Sequence, residues 1–413
     1  DGHTWRGVFQ FIVLNPDGAV PAGAEFNPEA TAGATTSLLP KPVDAALKWI
    51  ALLALAVAAG AAFWVRAVAK PAAAFLDDDN YDNALAASER WLVNLGHILL
   101  PASFLAMAAL VLLTVSRFET GTTLGTYLVS IRTGQHRLIF ALSAALALAG
   151  CDLLYLASGR RLRAAGTLLM LAASLLGLLT FSLTSHGGVG TGAFWAVVAD
   201  FVHLLASAVW LGALAMLVPF LRWTRRALAA PERFLYMANV FDRFSVVAAL
   251  SVIAVLATGV FNGLAQIPEF SALFDTTYGR TLVVKLALVA PLLGVAGLNA
   301  FRLKPRLVSA IDGVYQQGGA HPERHRAAAE RRLGALQRIL PWTIAFEVAL
   351  AIVVFGSVAV LSQTSTAKGE LAQEDAQRQA ATQFKDQKPA GDLQLDFVVK
   401  PNRVGLNEYA LTI

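Results

Sequence analysis

Long apolar stretches alternate along this chain with short polar segments, and each stretch is about as long as a bilayer is thick. They run from Ala45 to Val68, Trp91 to Val115, Leu138 to Ala157, Leu162 to Thr184, Phe194 to Leu221, Phe244 to Ile267, Leu282 to Ala300 and Ile339 to Leu361. A helix of about 20 apolar residues crosses the hydrocarbon core. The eight runs predict an all-α polytopic membrane bundle of eight transmembrane helices. The ends follow another pattern. Thr4 to Leu14 reads as a strand, Pro16 to Pro42 is rich in Pro, Gly, Ala and Thr, and Thr364 to Gly391 is polar and Gln-rich. Leu393 to Val399 and Tyr409 to Ile413 read as strands. Both ends therefore read as fragments of external β domains. The expected division is 1–14 as the last strand of one domain, 15–42 as linker, 43–363 as membrane domain, 364–391 as a second linker and 392–413 as the start of another domain.

Composition supports this class: 56% of residues are hydrophobic and 15% charged, too apolar for a soluble domain of this size. The pI near 9.4 raises nucleic acid as a partner, but most basic residues lie between the apolar runs, where membrane topology explains them, so none is expected. Arg160, Arg161 and Arg163, then Arg222, Arg225, Arg226 and Arg233, then Arg302, Lys304, Arg306, Arg324, Arg326, Arg331 and Arg332 follow the third, fifth and seventh runs. The positive-inside rule makes those loops cytoplasmic and both chain ends external. The loop after the second run fits less well, because it carries Arg117, Arg132 and Arg137 yet must be external. A single cysteine, Cys151, excludes an intrachain disulfide. No G-x-x-x-x-G-K-[ST] phosphate loop occurs.

Asp200 and His203 interrupt the fifth run. An aspartate near the centre of a membrane helix costs roughly 2.5–3.5 kcal/mol, so such residues face a bundle interior and mark a path or a ligand site. At i and i+3 the carboxylate and imidazole share a helix face. His186 precedes this helix across the small-residue loop Gly187 to Ala193. His203 lies roughly 13 Å below the start of its helix, so His186 reaches the pair only if its loop folds inward. Imidazole with carboxylate suits Cu(II) or Zn better than Cu(I). Met107, Met170, Met216, Met237 and Cys151 form no ladder at helical spacing.

Other polar residues have plainer readings. His97 reads as a packed histidine bonded to a backbone carbonyl, and His136 as a solvated loop residue able to substitute for His186. Asn262 and Asn299 read as hydrogen-bonded bridges between helices. Lys285 reads as either snorkelling outward or serving transport, and Asp77, Asp78 and Asp79 as a solvated loop. Glu347 divides evenly between a proton relay and the partner of a buried polar group.

His203-Leu-Leu-Ala-Ser-Ala-Val-Trp210-Leu-Gly212, Thr258-Gly259-Val-Phe-Asn262 and Tyr278-Gly279-Arg280 with Lys285 resemble, in order and helix position, signatures of the fused copper-resistance C and D family. Asp1-Gly2-His3 is similar to the Asp-x-His near the end of the periplasmic C domain, where Asp and His bind Cu(II) with an N-terminal His that is missing here. The resemblance implies a copper transporter of the bacterial plasma membrane, not an enzyme, with copper ion as cargo, lipid around it and a periplasmic copper chaperone as a further partner. The implied metal residues are Asp1, His3, His186, Asp200 and His203, and the inward direction rests on the resemblance. Two other readings stay open: a membrane haem or quinone redox protein using intramembrane histidine, and a copper-sensing scaffold whose bundle only anchors external domains.

Overall fold

The computed structural model describes residues 42–118, 123–184, 193–315, 322–362, 364, 366–371, 384–390, 393–400 and 408–412. Asp1, His3 and His186 lie outside these residues, as do the strand read at Thr4 to Leu14 and nearly all of the first linker.

Among the described residues, ten α-helices are seven residues or longer. They are α1 (Pro42–Trp64), α2 (Asp78–Val115), α3 (Leu124–Ser130), α4 (Arg132–Leu156), α5 (Arg160–Leu183), α6 (Ala193–Ala227), α7 (Ala230–Gln266), α8 (Thr277–Leu298), α9 (Lys304–Tyr315) and α10 (Pro322–Leu361). Among the described residues, eight helices are long and apolar enough to cross a membrane, and they cover the eight predicted runs to within one residue: α1, α2, α4, α5, α6, α7, α8 continuing into α9, and α10. π-helical turns extend α1 through Val65–Ala69 and join α8 to α9 through Asn299–Leu303. The aspartates expected in a solvated loop instead start α2. Asp77 accepts the Asn80 N–H at 2.7 Å, and Asp78 and Asp79 occupy the first turn, where the exposed N–H groups and helix dipole favour carboxylates.

α1 and α6 form the interior of the bundle. α1 packs against α2, α5, α6 and α10, and its Ala-rich sequence is buried along most of its length. Between helices in lipid, small residues permit the close backbone approach on which packing depends. At the α1–α6 crossing a Cβ on Gly60 would lie 2.0 Å from the Ala208 carbonyl oxygen, and one on Gly212 2.5 Å from the Gly60 backbone. Gly212, the last residue of the His-Trp-Gly signature, is thus a packing residue. α7 rests mainly on α6, whereas α8 rests mainly on α10. Both turn apolar side chains such as Leu250, Ile253, Val284 and Leu286 outward.

Charged residues collect at the two ends of the bundle. At one, Arg160 pairs with Asp82 at 2.8 Å, Arg163 with Glu89, and Lys304 with Asp242 at 3.0 Å. At the other, Arg117 pairs with Asp44 at 2.6 Å, and Arg137 donates to Thr114 Oγ1 at 2.6 Å and to the Tyr127 hydroxyl at 2.9 Å. Two of the arginines that fit the charge rule poorly are therefore held by local partners. Tyr127 is enclosed, and burial pushes its phenol above the usual tyrosine range while the Arg137 charge and hydrogen bond pull it down.

Beyond α10, residues 367–371 form a helical turn over the Asp44 end. Ala367 packs with Ala272 and Tyr278 in a small apolar cluster flanked by Ile267, Leu282 and Leu361, and Glu370 Oε2 accepts the Thr277 N–H at 2.7 Å. Farther on, β1 (Phe384–Ala390), β2 (Leu393–Lys400) and β3 (Glu408–Thr412) pair antiparallel in the order β1-β2-β3, with Phe384 opposite Val399 and Lys400 opposite Glu408. The stretch read as a polar linker thus contains both a docked helical turn and a strand.

Candidate functional site

His203 and Asp200 lie on α6, in the half of the bundle nearer Asp44, and both are half-buried. Residues from the two neighbouring helices complete their surroundings. From α7, Thr258 Oγ1 lies 3.0 Å from His203 Nδ1, and a Cβ on Gly259 would stand 3.4 Å from His203 Cε1. The threonine–glycine step of the second signature therefore supplies a polar anchor and the space for the imidazole. From α8 come Lys285 and Tyr278: the Asp200 charge acts on both, and the Lys285 charge acts on His203. Lys285 is half-buried, and the Asp200 charge reaches it.

Hydrogen bonding assigns the imidazole tautomer. The Thr258 hydroxyl donates to the Ala254 carbonyl at 2.5 Å, so its oxygen is left to accept from Nδ1–H. The Val255 backbone also lies beside the ring. With the proton on Nδ1, a neutral imidazole carries its lone pair on Nε2, the arrangement that orients a histidine for metal ligation. Ser207 donates to the His203 carbonyl at 2.8 Å, and Asp200 also has an interaction partner.

The third signature works through helix capping. Thr276 Oγ1 accepts the Gly279 N–H at 3.0 Å, Arg280 donates to the Asp275 carbonyl at 3.1 Å, and a Cβ on Gly279 would fall 2.1 Å from the Ala272 carbonyl oxygen. These contacts fix the start of α8 and present Tyr278, buried, beside Asp200.

Among the described residues no group of three or more His, Cys, Asp and Glu side chains gathers as a metal site. Of the five residues expected to hold metal, Asp200 and His203 are the two that lie among the described residues, and they share α6. The remaining histidines depart from their readings. His97 does not bond a carbonyl: its Nε2 lies 2.7 Å from Asp152 Oδ1 and its ring meets Tyr155 edge-on, on an exposed face of α2 and α4. His136 sits within the first turns of α4, with Nδ1 buried and lacking a hydrogen-bond partner. Deeper in the bundle, Glu347 of α10 accepts Asn299 Nδ2–H at 2.8 Å, with the Trp210 side chain beside the same carboxyl. Asn299 thus bridges helices as expected, and its partner is Glu347.

Residues 238–361 match the family described as Copper resistance protein D. The match covers most of α7 and all of α8, α9 and α10, the helices that carry Thr258, Lys285 and Glu347. The chain is 30% identical over 202 residues to "Copper resistance protein D" of Pseudomonas syringae pv. tomato, across 48% of this chain and 59% of that protein. It is 32% identical over 122 residues to "Copper transport protein CutJ" of Bacillus subtilis (strain 168), across 30% of this chain and 22% of the relative. It is also 31% identical over 111 residues to "Inner membrane protein YebZ" of Escherichia coli (strain K12), across 26% of this chain and 34% of the relative. The chain thus spans less than two thirds of each of these relatives. No solved structure matches it.

Proposed function

We propose that this chain carries copper across the bacterial plasma membrane, inward, through a site in the outer half of the bundle built on Asp200 and His203. The observation that carries the reading is the His203–Thr258 contact at 3.0 Å, which holds Nδ1 as donor and leaves Nε2 to face a metal. The names of the relatives, copper resistance and copper transport, support copper as cargo.

The chemistry divides among the residues as follows. His203 Nε2 and an Asp200 oxygen bind the arriving ion, and His186, placed before α6, supplies a third donor. Lys285 balances the Asp200 charge when the site is empty. Arrival of the cation displaces that ammonium from the carboxylate, because two positive charges sharing one carboxylate in a low-dielectric site repel. Asp1 and His3 belong, in this reading, to the end of an external copper-binding domain, supported by their Asp-x-His spacing. The strands near the other end belong to a second external domain, and a periplasmic copper chaperone delivers the metal. The orientation with both ends outside is supported by the Arg clusters after the third, fifth and seventh runs. Nothing favours the haem reading: His97 engages Asp152 and Tyr155 while His203 engages α7.

Copper uptake into proteoliposomes, normalised to folded protein, tests the proposal. Wild type accumulates copper and His203→Ala loses most of the uptake. Wild-type-level uptake by folded His203→Ala removes the site.

A further inference from the structure

Glu347 lies eight residues beyond Ile339 on α10, about 12 Å into its apolar run, and is 2% exposed. An ionised carboxylate at such a position needs a cation or a dense set of donors, since desolvation is not otherwise recovered. The groups turned to Glu347 are Trp210 from α6 and Asn299 from the π-helical turn, and neither titrates. No charged side chain among the described residues acts on it. On the other elements packed against α10, Lys48 of α1 interacts with Asp44 and Arg137, Lys285 of α8 with Asp200, and Lys304 at the start of α9 pairs with Asp242 at 3.0 Å. A second observation concerns the neighbouring amide. Asn299 gives its Nδ2–H to Glu347 Oε2 at 2.8 Å, yet its Oδ1 is buried with no hydrogen-bond partner. A buried acceptor left unmade is costly, and a protonated Glu347 carboxyl beside it has a donor to give.

We propose that Glu347 is a proton-binding site, kept as a carboxylic acid whose O–H is given to Asn299 Oδ1, and that it exchanges this proton as copper crosses the bundle. The acid and the amide then form a reciprocal pair, with Trp210 beside the same carboxyl. Asn299 opens a π-helical turn, a feature that interrupts the regular ladder and recurs at functional positions. Trp210 follows His203 by seven residues on α6, so the proton site lies about 10 Å deeper than the metal site along that helix. On release the O–H bond breaks, the proton passes to water, and the carboxylate left behind balances one positive charge of the passing ion. The protonated state stands on the burial of Glu347, its contact with Asn299 and the unpaired Asn299 Oδ1; its coupling to transport rests on the reading under Proposed function.

Infrared spectroscopy of the metal-free, full-length protein in lipid nanodiscs at neutral pH tests the first part. Wild type shows a carboxylic-acid C=O band that shifts in deuterium oxide, disappears in Glu347→Gln and moves in frequency in Asn299→Ala. If Glu347→Gln does not fold, Glu347→Asp serves instead and shifts the band. A wild-type spectrum with no band traceable to Glu347, only carboxylate absorption, overturns the proton site. Proton release recorded with a trapped pH dye during copper uptake tests the coupling, which Glu347→Gln is expected to lose. Unchanged proton release by that variant overturns the coupling. The band present without wild-type copper uptake sinks the transport reading and leaves the proton site. Uptake present without the band does the reverse.

Discussion

His203 Nδ1 and Thr258 Oγ1 meet at 3.0 Å across the α6–α7 boundary, and the threonine hydroxyl has its own proton committed to Ala254. That commitment favours hydrogen on Nδ1, through a residue 55 positions away. Thr258→Val keeps the shape and removes the oxygen. We expect it to fold and to weaken copper binding by about 10- to 100-fold, the usual effect of losing the group that orients a metal-ligating histidine. Metal titration of the purified protein measures this, and an unchanged affinity rejects the tautomer assignment.

Asp200 and His203 share a face and one environment, so their substitutions should not add. Asp200→Asn and His203→Ala should each remove most copper uptake, and the double variant should lose little more. His186→Ala added to His203→Ala should likewise cost little. Additive losses would show separate contributors rather than one site.

Gly60 and Gly212 let α1 and α6 touch backbone to backbone. Gly212→Leu forces these central helices apart, and overpacking of this kind costs typically 1–3 kcal/mol, with more expected at a backbone contact. Thermal unfolding in detergent should show a lower midpoint and a poor yield of folded protein, while Gly294→Ala, at a position with no neighbour near the added carbon, should leave both unchanged. Equal stability of the two variants contradicts the packing argument.

Orientation is tested by labelling. A cysteine placed beside Arg161 should be shielded from an impermeant thiol reagent in intact cells, and one replacing Gly188 should react. The reverse pattern inverts the direction in which the Asp200–His203 half of the bundle faces.

The docked turn at residues 367–371 predicts a local effect. Glu370→Ala removes the carboxylate that accepts Thr277 N–H at 2.7 Å and should destabilise the start of α8 by about 0.5–2 kcal/mol, as loss of a helix cap does. Faster hydrogen exchange confined to the first turns of α8 is the expected readout. No change there means that the turn does not hold the helix.

Length and apolarity of the runs by themselves determined the eight membrane helices, because a helix is the only open-ended way to bury backbone polar groups in hydrocarbon and about 20 residues fill its thickness. The shared face of Asp200 and His203 also followed from spacing alone, since a helix repeats every 3.6 residues. Tertiary structure decided everything that depends on how helices rotate against one another. It put Thr258 and Gly259 on the His203 ring, turned Lys285 toward Asp200, and set Asp152 beside His97 and Asn299 beside Glu347. It also folded residues 367–371 back over α8, where polar composition alone suggests a linker. Such pairings join residues distant along the chain, and local periodicity carries no information about them. They arise from side-chain packing and close backbone contacts such as Gly60 on Gly212, which fix which face of each helix meets its neighbour.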